Sequence, residues 1–180
     1  MERRVMQFID GIGQFAPITE RDRSEWAKLS AFVAQESKAF DRDPKTSHVT
    51  GSAFVLSADR NSVLLTHHAK LDRWLQLGGH CDGIADARFV AQKEAYEESG
   101  LSRISLVSPD VFDVDIHHIP ETPKECAHLH YDVRFLFQAE AGALAVSEES
   151  HALAWVPLDT LEHYTDARSV LVVRDKIRQG

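Results

Sequence analysis

Alternating apolar and polar positions predict a series of strands through the middle of the chain. Residues 57–61 form a polar turn between the first two of them, and the later ones lie between loops that contain Pro109 and Pro120. The strands predicted in this way cover residues 48–56, 62–66, 104–107, 111–119, 128–139 and 152–157.

A helical period replaces this alternation towards both ends of the chain. Residues 1–45 are expected to form an N-terminal helical segment packed on a domain of residues 46–180, with a lid or a dimer contact as the alternative role. Its helix would be capped within 19–22 or at 24–25, and its apolar stripe would comprise Trp26, Leu29, Phe32 and Val33. Residues 158–163 and 166–177 are also expected to be helical. Helices on both sides of non-local strands predict the α/β class, as an α/β/α sandwich.

Composition limits the function further. The 180 residues are 43% hydrophobic and 27% charged, as in a globular domain. A net charge of −8 argues against coating nucleic acid. The two cysteines, Cys81 and Cys126, are too few for a disulfide framework, which makes the cytoplasm the expected location. Residues 1–10 are too polar for a signal peptide, and no apolar run suits a membrane span, so no membrane partner is expected.

One segment carries most of the chemistry. A glycine-rich turn beginning at Gly79 precedes a helix in which Glu94, Glu97 and Glu98 are spaced i, i+3 and i+4. A helix places three such carboxylates on one face, where they repel one another. A divalent cation with a preference for hard oxygen ligands, such as Mg²⁺, would relieve that repulsion. Gly100 then suits the end of the helix.

Residues 79–101 resemble the Nudix box, G-x5-E-x7-R-E-U-x-E-E-x-G-U, where U is aliphatic. Gly79, the three glutamates, Gly100 and Leu101 fit the pattern. Ala85 replaces the first glutamate of the box, and Lys93 replaces its arginine. These two positions commonly pair with each other in the family, so the changes at both positions are consistent with one another. Asp82 or Asp86 could instead pair with Lys93. A preceding H-x-K-x3-W-x3-GGH pattern and a later H-x-H-x-D resemble a Nudix subset, which narrows the fold more than the substrate.

The resemblance implies a mixed central sheet and a phosphohydrolase. Such an enzyme cleaves a diphosphate linkage in a nucleoside diphosphate joined to another moiety, with Mg²⁺ as cofactor and Mn²⁺ as the alternative. It makes Glu97 and Glu98 the main metal ligands, Glu94 a ligand or general base, and the Gly79 carbonyl a further ligand. Glu149 would be the extra carboxylate before Trp155, and Glu148 is the second choice for that role. The alternative is that both belong to a simple acidic turn. The partner is a small-molecule diphosphate, and a homodimer is left open.

Cationic and imidazole side chains near the box are candidates for substrate contact. Lys70, Arg73 and Arg134 could contact phosphate, and His80 follows the double glycine. In residues 128–135 alternation puts His128, His130, Asp132 and Arg134 on one face. If this strand pairs with 111–119, that stripe would lie beside Asp113, Asp115 and His117. The stripe is predicted either to contact substrate or metal, or to be a solvated face.

Three other functions are considered. A Nudix-fold domain could bind or sense a nucleotide-like ligand without cleaving it, which Ala85 and Lys93 favour and the intact glutamates oppose. The histidine stripe could instead make the chain a transition-metal protein. A Nudix-type isomerase fits the fold, but its pattern of Cys and Glu is not evident.

Overall fold

A computed structural model describes residues 6–43, 45–147 and 150–179. Its strands form one mixed eight-stranded sheet, in which β3, β2, β1, β7 and β5 are successive neighbours, while β4 pairs with β1, β6 with β7 and β8 with β2. The strands are β1 (His48–Leu56), β2 (Ser62–His68), β3 (Arg73–Leu75), β4 (Leu77–His80), β5 (Arg103–Leu106), β6 (Asp113–Ile119), β7 (His128–Ala141) and β8 (Ser150–Pro157). With three α-helices in the described residues, this confirms the predicted α/β class.

The helices are α1 (Glu20–Gln35), α2 (Ala87–Ser99) and α3 (Arg168–Gln179), and a 3₁₀ helix covers Leu158–His163. Thr19 begins α1 with a capping box, because its hydroxyl accepts from the Asp22 amide while the Asp22 carboxylate accepts from Thr19. Trp26 and Leu29 of the predicted stripe are buried. Phe32 is partly exposed and stacks on Tyr131, with ring centroids 4.0 Å apart.

The prediction of a helical N-terminal segment is wrong for residues 6–18, while residues 1–5 lie outside the described residues. Residues 6–18 are irregular, with a bridge between Ile9 and Gly13 and a parallel bridge between Phe15 and Val111. Gly11 and Gly13 have φ of +72° and +110°, a region that a right-handed helix does not use. Val111 consequently lies in a bridge before β6 and not in the strand predicted from residue 111.

The chain forms two compact units. The first contains the described residues up to Ser52, together with Gly78–Ala91 and Ser108–Phe135. Its interior includes Phe15 against Trp26, with ring centroids 5.3 Å apart, and the buried Phe135. The proposed boundary between residues 45 and 46 stays a prediction.

The second unit contains Ala53–Leu77, Gln92–Val107 and the described residues from Leu136 onward. Strand β2 is its central strand. The last three residues of β2 pair antiparallel with β3, and most of its length pairs antiparallel with β8. Its interior is apolar, with Phe54, Leu64, Leu65, Phe137 and Leu161 fully buried.

Gly51 of β1 allows the start of α2 to approach the strand within the first unit. A Cβ built on Gly51 would lie 2.5 Å from the carbonyl oxygen of Ala87 and 3.1 Å from the amide nitrogen of Ala91. Both are backbone atoms of α2, so a side chain at Gly51 would displace the helix.

Candidate active site and histidine cluster

Helix α2 positions the three glutamates, and its ends are defined by local signals. The Asp86 carboxylate accepts a hydrogen bond from the Phe89 amide at 3.0 Å, which caps the first turn. Gly100 follows the last turn with a φ of +70°, and its amide bonds to the Tyr96 carbonyl at 3.1 Å. The predicted role of Gly100 is therefore confirmed.

The three carboxylates differ in exposure, although they lie on one stretch of α2. Glu98 is buried, with 8% of its surface exposed. The side chain of Glu94 is 17% exposed and that of Glu97 is 57% exposed. The set therefore extends from the protein interior to solvent, as a site that takes a ligand from solution requires.

Lys93 lies between two of these acids. Its Nζ is 2.7 Å from a Glu97 carboxylate oxygen and 3.1 Å from one of Glu94. The hydrogen bonds to Glu97 and Glu94 raise the pKa of Lys93 above its usual range. Lys93 therefore pairs with Glu97 and Glu94, and not with Asp82 or Asp86 as suggested from the sequence.

The donor set fits the divalent metal that the fold family implies. Carboxylate oxygens are the ligands that Mg²⁺ and Mn²⁺ prefer. The ammonium group of Lys93 marks a position where a cation is held by two of them at once. Glu94, Glu97 and Glu98 could therefore hold such an ion.

The other predicted members of this site are placed as follows. Gly79 and His80 lie in β4, in the first unit, whereas the three glutamates lie in the second. A ligand role for the Gly79 carbonyl stays a prediction. Glu148 and Glu149 lie outside the described residues. Cys81 is buried and is not part of a disulfide, which agrees with a packing role.

Arg73 borders a cavity of about 310 Å³ within the second unit. Trp74 and Tyr164 also line it, with their rings edge to face and centroids 5.5 Å apart. Trp74 also stacks on His67, with ring centroids 5.0 Å apart. Lys70 is exposed in the turn before β3, and its amide bonds to His68 Nδ1 at 3.2 Å. A cation beside two aromatic rings could receive a charged, planar ligand.

Strands β6 and β7 pair antiparallel in the register expected for the two polar stripes. Asp113 is opposite Arg134, Asp115 is opposite Asp132, and His117 is opposite His130. The alternative of a solvated face is wrong, because His128, Asp132 and Arg134 are 6%, 2% and 1% exposed.

Arg134 is enclosed by three carboxylates. Its guanidinium bonds to Asp132 at 2.7 Å and Asp113 at 3.0 Å and lies 3.2 Å from Asp115. Thr50 and Ser52 donate further hydrogen bonds to Asp132. A guanidinium that is fully buried among acids does not meet a phosphate from solution, so the suggested phosphate contact of Arg134 is corrected to a structural ion-pair network.

Five imidazoles gather at the other end of the stripe, and we refer to them as the histidine cluster. Ring centroids of neighbouring members are 4.7–5.4 Å apart. The members are His48, His80, His117, His128 and His130, all in the first unit.

Burial favours the neutral form of three imidazoles of the cluster, His48, His80 and His130. Burial, helped by the surrounding imidazoles, lowers the pKa of His130 to about 2. Burial, together with the charge of Arg42, lowers the pKa of His80 to about 4, and burial also lowers that of His48.

His48 is the member that sequence reasoning missed. It begins β1 and belongs to no local motif. It meets His128 because β1 and β7 are neighbours in the sheet and because the Leu129 amide bonds to the Ser47 hydroxyl at 3.0 Å. Only a strand-pairing prediction could have revealed it.

Comparison with known families decides the classification. The model of the NUDIX domain matches residues 46–174, which is more than half of the chain. The chain belongs to the Nudix family. This supports a Nudix-type pyrophosphohydrolase in general terms and leaves the substrate undetermined.

Solved structures of Nudix proteins share the fold. A NUDIX-family hydrolase from Clostridium perfringens is 22% identical, with a TM-score of 0.52, over 73% of this chain and 97% of that one. The Escherichia coli dihydroneopterin triphosphate pyrophosphohydrolase is 14% identical, with a TM-score of 0.54, over 76% and 95%. A Caenorhabditis elegans Ap4A hydrolase in a binary complex is 14% identical, with a TM-score of 0.53, over 73% and 95%. At these identities the similarity shows the Nudix fold alone.

Curated proteins gave no match to this chain. Among the described residues, no helix combines the length and apolar character that a membrane crossing needs.

Proposed function

We propose that this Nudix protein is a Mg²⁺-dependent hydrolase that cleaves a diphosphate linkage in a nucleoside diphosphate joined to another moiety, with Mn²⁺ as the alternative cofactor. The observation that carries the proposal is the set of three glutamates on α2, which extends from the buried Glu98 to the largely exposed Glu97. Family membership supports the same reaction class.

The three glutamates have separate tasks in this proposal. Glu97 and Glu98 hold the ion, and Glu94 is either a third ligand or the base that takes a proton from the attacking water. A metal bound there neutralises diphosphate charge and lowers the pKa of water. The Gly79 carbonyl is assigned as a further ligand, and Glu149 as an additional carboxylate.

Substrate binding is assigned to Lys70, Arg73 and His80. Arg73 and Lys70 supply positive charge for phosphate oxygens. The cavity beside Arg73 offers Trp74 and Tyr164 as faces for a planar group. His128 and His130, which were also candidates for substrate contact, lie in the histidine cluster.

The test is release of phosphate or nucleotide from a panel of diphosphate compounds with Mg²⁺. Glu97→Gln should keep the fold, because the side chain is largely exposed, yet lower turnover by about a hundredfold or more. Glu20→Gln, which changes an exposed helical glutamate in α1, is the matched control and should retain wild-type turnover. Equal activity of Glu97→Gln and wild type would refute the assignment.

A binding or sensor domain is the second candidate. Lys93 favours it, because its ammonium group occupies two of the three carboxylates. Ligand binding by calorimetry without release from any compound would establish this alternative, and restoring glutamate with Ala85→Glu would then be the first change to make.

A further inference from the structure

Three imidazoles of the histidine cluster converge more closely than any simple packing role requires. One ligand atom from each of His48, His128 and His130 lies within 4.8 Å of the others. His48 and His128 are buried, at 2% and 6% exposure, and His130 is partly buried. This convergence makes the three histidines a group that could hold a metal ion.

Hydrogen bonds on the far side of two rings fix which nitrogen faces the centre. His48 Nδ1 is 2.9 Å from the Thr46 carbonyl oxygen, and His128 Nδ1 is 2.7 Å from the Cys126 carbonyl oxygen. A carbonyl oxygen only accepts, so each Nδ1 carries the proton and each Nε2 presents a lone pair. Metal-binding histidines are oriented in the same manner, by a second hydrogen bond to a backbone carbonyl.

The Nε2 atoms themselves are left without a partner. Both His48 Nε2 and His128 Nε2 are buried and accept no hydrogen bond from the described part of the chain. Buried polar atoms in native proteins nearly always have a partner, and each exception calls for one. A metal ion at this point would satisfy both atoms at once.

From this geometry we propose that His48, His128 and His130 form a second metal site, selective for a divalent transition metal such as Zn²⁺ and separate from the glutamates of α2. Neutral imidazole is a ligand that Zn²⁺, Co²⁺, Ni²⁺ and Cu²⁺ accept, whereas Mg²⁺ prefers oxygen. Three histidines supply a tetrahedral site with one position left over.

Charges of both signs surround the site. The charge of Arg42 acts on His48 and His80, and Arg42 pairs with Glu125 at 3.4 Å. His80 is a further neighbour of these rings, with ring centroids 5.2 Å from His48 and 5.1 Å from His130. Along the same stripe, Asp113, Asp115 and Asp132 outnumber the guanidiniums of Arg21 and Arg134 that pair with them.

A metal here would connect two strands at their starts. His48 begins β1, and His128 and His130 begin β7. Since the ligands come from distant parts of the sequence, the ion would bind the folded chain only and would stabilise it.

The experiment uses the full chain purified without a histidine tag. Metal content is measured by mass spectrometry, and Zn²⁺ and Co²⁺ are titrated into the chelator-treated protein. We expect about one equivalent to bind, a higher Tm with Zn²⁺, and visible d–d absorption of four-coordinate Co²⁺ with nitrogen ligands. All three readouts should persist in Glu97→Gln, so the result does not depend on the proposed hydrolase function.

His130→Gln tests the ligand set, because this residue is only partly buried and the variant is the one best placed to fold. It should weaken Co²⁺ binding by more than the roughly 10–100-fold that loss of an outer hydrogen-bond partner causes. His118→Gln is the matched control, since His118 is exposed on the neighbouring strand, and it should bind as wild type does. Should His130→Gln fail to fold, the Tm shift and Co²⁺ spectrum of the wild type decide. Absence of both, or equal binding by the His130 and His118 variants, would overturn the proposal.

Discussion

At the scale of single residues, Lys93 is the departure from the Nudix box with a visible structural effect. An ammonium group pairs with Glu94 and Glu97, so a cation belonging to the chain shares ligands with the cation that the proposed reaction needs. Like charges exclude each other from one set of ligands, and the two cations should therefore compete.

Lys93→Met removes the charge and keeps the length of the side chain. We expect the Mg²⁺ concentration for half-maximal activity to fall, because the metal no longer displaces an ammonium group. The free energy of unfolding without metal should decrease by less than about 1 kcal/mol, since both ion pairs are partly exposed. Activity against Mg²⁺ concentration and urea unfolding are the two measurements.

Lys28→Met is the control for that change. Lys28 pairs with Glu25 on α1 at 2.9 Å and is 58% exposed, so its loss alters an ion pair away from α2. It should leave the Mg²⁺ requirement as it is. A Lys93→Met protein that needs as much Mg²⁺ as wild type, or more, would show that Lys93 does not compete with the metal.

At the scale of elements, the hairpin of β6 and β7 shows what alternation does and does not predict. The side of the strand on which each polar residue lies follows from the period of two, and it was predicted correctly. Whether that side is covered depends on what packs over it, which the local pattern does not contain. Arg134 therefore belonged to the right stripe and received the wrong role.

Arg134→Met tests the buried ion-pair network. It leaves the carboxylates of Asp113, Asp115 and Asp132 without their common guanidinium in a place where water does not reach them. Removing one partner of a buried ion pair destabilises a protein by about 3–5 kcal/mol. We expect a loss of that size in urea unfolding.

The control for this variant is Arg103→Met on β5. Arg103 pairs with Glu140 across to β7 at 2.7 Å, but it is 68% exposed. Its loss should change the free energy of unfolding by less than about 1 kcal/mol. Similar effects of the two substitutions would contradict the burial argument.

Helix ends were predictable from local chemistry, whereas irregular structure was not. The cap at Thr19, the end of α2 at Gly100 and the three glutamates on one helix depend on residues within a few positions of each other. The irregular course of residues 6–18 depends on a bridge from Phe15 to Val111. Contacts over such sequence separations have no signature in the local pattern.

At the scale of the whole molecule, the free energy of unfolding should depend on pH through the buried carboxylates. Burial alone would raise the pKa of Asp115, but its hydrogen bond with His117, the charge of Arg134 and the hydrogen bond from Arg21 outweigh burial and lower it below the ordinary 3.8. Between the two pKa values the unfolded chain binds more protons, so stability rises with pH there. The contribution is present above about pH 4 and is lost as the pH falls through the folded-state value.

Asp115→Asn should accordingly reduce the free energy of unfolding more at pH 5 than at pH 3. Urea unfolding at both pH values, with chelator present, measures the difference. Asp166→Asn, at an exposed position, should show no such dependence on pH. An equal loss for Asp115→Asn at both pH values would mean that its charge does not matter.

The two candidate sites also differ in how far the local sequence predicts them. The glutamates could be found from sequence because one helix carries them all. The histidine cluster needs β1, β4, β6 and β7 to be neighbours, and alternation indicated only the part that lies on β6 and β7. A site assembled from several strands becomes visible only when the pairing of those strands is known.

Gly51 has no side chain, yet it controls the position of the three glutamates. Helix α2 is a stiff rod that rises about 1.5 Å per residue, and its first turn rests against the bare backbone of β1. Metal coordination tolerates errors of only about 0.2 Å. One added methyl group beside Ala87 would tilt or slide the rod and carry Glu94, Glu97 and Glu98 with it. The position of the glutamates thus depends on the absence of a side chain at Gly51, which contacts α2 two turns before them.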